Sequence, residues 1–173
     1  MKYASSFILI ALAACQSSSD DPIDRQHANI AKLSFDAPAT WQRKDTRLRT
    51  SSTSVWTPLN NAAKESITVI RTQVHLKASA GLSEVEQLLL KAQTGLREAH
   101  VSAPSQVSSA SGLRGVQVNL DYIPSNMTTR YHRVHAVLRD GDALIHVFYT
   151  AVEPDENNEA FRLVLNSLRH EEV

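Results

Sequence analysis

Apolar and polar positions alternate with period two through much of the second half of the chain and recur with helical spacing in two places, and these two periods set the predicted elements. Val116, Val118, Leu120 and Tyr122 alternate strictly with Gln117, Asn119 and Asp121, the pattern of a strand with one packed face and one wet face. Pro124-Ser125-Asn126 turns the chain, and Thr128 to Leu138 carries the next strand. Asp140-Gly141 is a two-residue hairpin signal, and Ala143 to Ala151 returns. Earlier, Leu33-Ser34-Phe35 predicts a short strand ended by Asp36-Ala37-Pro38, with Trp41 plugging the core edge. Ser54 to Thr57 predicts another, stopped at Pro58 before Leu59-Asn60-Asn61. Ser66 to Leu76 mixes apolar and polar residues on both sides, so both of its faces are expected to be partly covered, and Val101 to Val107 is a weaker strand.

Ser83 followed by Glu86 forms a capping box, and Val85, Leu88, Leu89, Ala92 and Leu96 then predict a helix over about 83–99. A second helix opens after Pro154-Asp155, with Phe161, Val164, Leu165 and Leu168 on one stripe and Arg169 and His170 at its negative end. Strands, a helix, a run of antiparallel strands and a final helix predict an α+β domain, an antiparallel β-sheet with helices packed against it. No internal repeat is visible.

The hairpin at Asp140-Gly141 carries a register. With those two residues in the turn, His135 stands directly opposite His146, and Val134, Ala136 and Leu138 join Ala143, Ile145 and Val147 on the core face. If Val118 and Leu120 belong to that same face, the preceding turn has odd length, for instance Ser125-Asn126-Met127. Gln117 then flanks His135 and Asn119 flanks Arg133. Gln117, Asn119, Arg133, His135 and His146 become a polar stripe, the candidate binding site. It reads as a wet sheet face or a polar seam beneath a helix, or as a small-ligand or metal site, although two imidazoles without a third ligand hold zinc poorly.

The N-terminus adds an address. Lys2 precedes the apolar run Phe7 to Ala14, which is too short to cross a hydrocarbon core needing roughly 20 residues and so reads as a signal peptide. Leu12-Ala13-Ala14-Cys15 resembles the bacterial lipobox. That resemblance implies diacylglycerol on the Cys15 thiol, cleavage before Cys15 (signal peptide 1–14), and a stable membrane anchor. Gln16-Ser17-Ser18-Ser19-Asp20-Asp21-Pro22 has nothing to bury and predicts a flexible tether reaching to about residue 28, with a single domain over 29–173. In Gram-negative lipoproteins an aspartate after the lipidated cysteine resembles an inner-membrane retention signal. Gln16 stands there, so the resemblance implies the outer membrane, facing the periplasm.

Charge and cysteine content narrow the function classes. Basic and acidic residues balance at 18 each with no long basic run, so no electrostatic footprint for nucleic acid is expected. Cys15 is the only cysteine, which leaves no thiol for a disulfide or a metal thiolate in the domain. The element order, with Leu33-Ser34-Phe35-Asp36-Ala37-Pro38-Ala39-Thr40-Trp41 early and the Phe161-to-Leu168 helix at the close, resembles the PsbP-like superfamily, whose exported bacterial members include DcrB-like lipoproteins. That resemblance implies an α/β/α sandwich, no shared catalytic residues, and work as an assembly or binding factor.

No G-x-S-x-G, P-loop, G-x-G-x-x-G or H-E-x-x-H spacing occurs, and the serine-rich stretches lack a base at an orienting distance. His27, His100 and His170 are expected in solvent near a tether or helix end, while His132, His135 and His146 fall on adjacent strands. The expected function is that of a non-enzymatic, cofactor-free envelope lipoprotein binding a protein or peptide partner. The alternative is a small-ligand or metal-binding lipoprotein that uses the polar stripe.

Overall fold

A computed structural model describes residues 23–60, 64–74, 81–93, 96–152 and 158–171. Strands β1 (Arg25–Ile30) and β2 (Leu33–Pro38) form a hairpin around Ala31, whose φ of 54° supplies the left-handed residue of the tight turn. Strands β3 (Trp41–Arg47), β4 (Ser51–Pro58) and β5 (Ser66–Gln73) follow, then helix α1 (Leu82–Ala92). Next come β6 (Arg97–Val101), β7 (Ser105–Ser108), β8 (Arg114–Ile123), β9 (Tyr131–Asp140) and β10 (Ala143–Ala151), and the chain closes with helix α2 (Glu159–Ser167) and β11 (Arg169–His170).

The strands make two antiparallel sheets. The larger has the order β3-β4-β5-β10-β9-β8-β6, with β7 also pairing with β8, and the smaller has the order β1-β2-β11. On one face of the large sheet, Trp56, Ile67, Val69, Val134, Ala136, Leu138, Ile145, Val147 and Tyr149 pack with residues of the small sheet and with Phe161, Val164, Leu165 and Leu168. On the other face, Val85 and Leu89 of α1 cover Val116, Val118, Leu120, Tyr122, Tyr131, Val137 and Leu144. Central β9 is therefore buried on both sides, from Val134 through Leu138 without a break. Among the described residues no helix is long and apolar enough to cross a membrane.

This architecture corrects the α+β expectation. Strands take 56% of the described residues and helices 15%, so the domain is mostly antiparallel β-structure with two short helices rather than a helix-packed α/β/α sandwich. The first helix, expected to run to Ala99, stops at Ala92 with Gln93 as its C-cap, next to the helix-stop signal of Gly95 in the sequence. Ser83 does not cap it: Gly81 is the N-cap, with no side-chain cap bond. Residues 25–28, expected in the tether, belong to β1, and Arg169 and His170, expected at a helix end, form β11. The expected start of the second helix at Pro154-Asp155 lies outside the described residues, as does Cys15.

Two register expectations also change. The β9–β10 turn is Gly141-Asp142, not Asp140-Gly141: Asp140 pairs with Ala143, so His135 faces Phe148 and His146 faces Val137. Gly141 takes a φ of 61°, which selects the two-residue turn there. Moving the turn by one residue slides the pairing by two, so the faces survive, and the histidines become diagonal neighbours on one face. The β8–β9 connection, in contrast, pairs Val118 with His135 and Leu120 with Arg133. Its length is even where an odd turn was expected, and a one-residue slip turns every β8 side chain to the opposite face. Val118 and Leu120 thus lie under α1, apart from the Val134, Ala136, Ile145 and Val147 core.

Candidate functional site

The last turn of α1 sets Gln93 over β9. Val85, Leu89 and Gln93 follow one another at four-residue spacing down the packed side of the helix, and Gln93 is buried although polar. Its side-chain amide donates to the Leu89 carbonyl at 3.0 Å and to Nδ1 of His135 at 2.8 Å. His135 is 1% exposed, and its Nε2 lies 3.1 Å from Nδ1 of His146.

These contacts assign the protons. The amide nitrogen spends both hydrogens as a donor, so His135 Nδ1 accepts and the ring carries its proton on Nε2. His135 Nε2–H then donates to His146 Nδ1, and His146 holds its own proton on Nε2. Burial, then the neighbouring His146, then the Arg133 charge push the His135 pKa down to about 2, and burial pushes His146 down to about 4. At neutral pH the two rings form an uncharged chain of donors and acceptors.

Around the pair the sheet presents rings. Phe148 stacks on His135 at 4.0 Å between centroids, and the rings of His146 and Phe148 are tilted by only 8°. Arg133, opposite Thr150 in the ladder, donates through Nε to Thr150 Oγ1 at 3.1 Å and through a terminal nitrogen to the Tyr122 hydroxyl. Its guanidinium sits 4.6 Å from the Tyr122 ring centre and 5.4 Å from that of Phe148. Burial raises the Tyr122 pKa, which keeps the phenol neutral under the cation. Among the described residues no carboxylate pairs with Arg133. Ile70, Thr72, Ala92, Gln93, Arg133, His135, His146 and Phe148 line one pocket of about 320 Å³.

Three of the five expected site residues, Arg133, His135 and His146, therefore meet. Gln117 and Asn119 do not: they pair with Ala136 and Val134 and project from the opposite face, because of the register slip of β8. Gln93, Phe148 and Tyr122 were not expected. The four-residue spacing of Val85, Leu89 and Gln93 is the signal that could have exposed Gln93. His132 bonds Asp121 at 3.0 Å on the side of the sheet away from the pair, and His170, expected in solvent, bonds the buried Asp140 at 3.1 Å.

Chemically, the pocket offers the guanidinium of Arg133 and the N–H of His146 as donors above an aromatic and aliphatic floor. A metal at the two histidines would have to break the bond between them and would find no third ligand among the described residues. Both rings are also weak bases at neutral pH, with His135 engaged at both nitrogens.

Comparison with protein families and with curated proteins finds no match. Among solved structures, the chain is similar to PA94, a Pseudomonas aeruginosa protein of unknown function, at 11% identity with a TM-score of 0.46, over 73% of this chain and 82% of that one.

Proposed function

We propose that this chain is a non-enzymatic lipoprotein of the bacterial envelope, anchored through Cys15 to the outer membrane and facing the periplasm, that binds a protein or peptide partner. The anchor rests on Leu12-Ala13-Ala14-Cys15 after an apolar run of signal-peptide length. The binding reading is carried by the pocket beside His146, where Arg133 has no acidic partner among the described residues and a neutral imidazole chain leaves one outward donor. Those two donors over Phe148 and Ile70 suit a carboxylate-bearing side chain or chain end of the partner. A pocket of about 320 Å³ also falls within the range of small-molecule clefts, which supports a small ligand as the second reading.

Crosslinking of the anchored protein followed by affinity purification separates the two. Reproducible recovery of one partner, lost when His146→Leu and Arg133→Gln are combined, supports the first reading. If no partner is recovered from intact envelopes, the first reading fails, and a pocket-dependent shift in melting temperature with small carboxylates would carry the second.

A further inference from the structure

A second cavity, of about 270 Å³, opens at the Ala31 end of β1, and it is basic. Ala31 of the β1–β2 turn lies on one side, and Arg47, Arg49, Ser51, Ser52 and Arg71 lie on the other. We propose that Arg47, Ser52 and Arg71, joined by Arg49 from the β3–β4 turn, form a cradle for the phosphate group of a phosphorylated ligand.

The ladder itself places the row. Arg47 pairs with Ser52, and Ser52 pairs with Arg71, so the three occupy neighbouring positions on one face of β3, β4 and β5. Directly opposed residues stand about 4.5 to 5.5 Å apart at Cβ, so the arginine side chains of Arg47 and Arg71 start on either side of the buried Ser52. Arg71 is fixed from behind. Its Nε donates to Asp140 at 3.0 Å, and the other oxygen of that buried carboxylate meets His170 at 3.1 Å. With Nε held, the two terminal nitrogens of Arg71 remain for an anion, and their plane is set before the anion arrives.

The charge does not cancel locally. Asp140 is the carboxylate paired with Arg71, while Arg47 and Arg49 pair with no carboxylate among the described residues. The turn carrying Arg49 is tied at both ends, by Leu48 N–H to the Ser51 carbonyl at 2.8 Å and by Gln73 N–H to the Thr50 carbonyl at 2.9 Å. Charges on an edge strand such as β3 discourage sheet-to-sheet aggregation, but that role does not call for a third guanidinium braced by a buried acid two strands inward. Three planar forks and a hydroxyl offer more donors than the two oxygens of a carboxylate can use, and a phosphate group presents three.

The test uses the full acylated chain in phosphatidylcholine nanodiscs at low ionic strength. It is titrated calorimetrically with inorganic phosphate and, in a separate arm, mixed with vesicles containing phosphatidic acid, whose phosphomonoester presents three oxygens, and floated. Saturable phosphate binding, weakened about tenfold or more in the exposed-residue double variant Arg47→Gln/Arg49→Gln, supports the cradle and identifies a soluble phosphorylated ligand. Flotation with the vesicles alone, lost in the same variant, supports the cradle and identifies a lipid headgroup. Arg71→Lys, which keeps the charge and removes the fork, should weaken whichever binding is found. No saturable binding in either arm, or binding undiminished in the double variant, overturns the proposal.

Discussion

His135 and His146 show what burial does to a titratable side chain placed next to a second one. An imidazole in water is half-protonated near pH 6.5, whereas these two are held neutral down to about 2 and about 4. Between those values and 6.5 the unfolded chain takes up protons that the folded chain refuses, so stability falls as pH drops through that window and is unaffected by these groups above it. Each ring contributes about 1.4 kcal/mol per pH unit, or about 2 kcal/mol between pH 6.5 and 5. Urea unfolding should show that decline, with a smaller slope in His146→Phe. The ring C–H resonances of His135 should stay unshifted from pH 7 to 5; a shift at His135 in that range would show that the ring is not held neutral. Gln93→Leu removes the donor to His135 Nδ1 and leaves that buried nitrogen unpaired, at a cost of about 1 to 3 kcal/mol.

At the scale of elements, two buried clusters lie on opposite faces of one sheet, and they should fail independently. Ile145→Ala opens a cavity under the small sheet, and Leu89→Ala opens one under α1, each costing about 2 to 5 kcal/mol. The two losses should add to within about 0.5 kcal/mol in the double variant, as read from denaturant midpoints. Gly115 is a tighter constraint, because a Cβ there would stand 2.0 Å from the Val137 carbonyl oxygen of the neighbouring strand. Gly115→Ala should therefore cost at least about 3 kcal/mol, or separate β8 from β9 altogether. The same elements mark what was legible in the sequence. The β9–β10 hairpin, its core face and the placement of both histidines on the other face follow from strict alternation and a glycine turn and survive the misplaced turn because the slip was even, whereas their direct opposition does not: His135 faces Phe148 and His146 faces Val137. The site residues Gln117 and Asn119 were lost to an odd slip in the connection between the paired Tyr122 and Tyr131, eight residues whose number no alternation fixes. Trp41–Arg47 escaped notice because an edge strand exposed on both sides needs no apolar period, and β1 buries only Ala28 and Ile30.

The whole molecule has two ends. Asp24, just before β1, bonds through its carbonyl to Ala39 N–H at one end, while the β1–β2 turn reaches the arginine cavity at the other, six extended residues or about 20 Å away. A chain tethered before residue 24 thus holds its basic cavity at the end of β1 opposite the point where the tether joins. From Cys15 to Asp24 is nine residues, a reach of at most about 30 Å. The proposed anchor depends on one sulfur. Diacylglyceryl transfer needs a thiolate, which a serine hydroxyl cannot replace at physiological pH, so Cys15→Ser should abolish incorporation of radioactive fatty acid and release from the signal segment. Strand β1 begins ten residues later, and among the described residues the core starts at Ala28, so the variant should keep the melting temperature of the acylated protein. Label retained by the serine variant, together with its sedimentation among membranes at the processed size, would show that the anchor is not the Cys15 lipid.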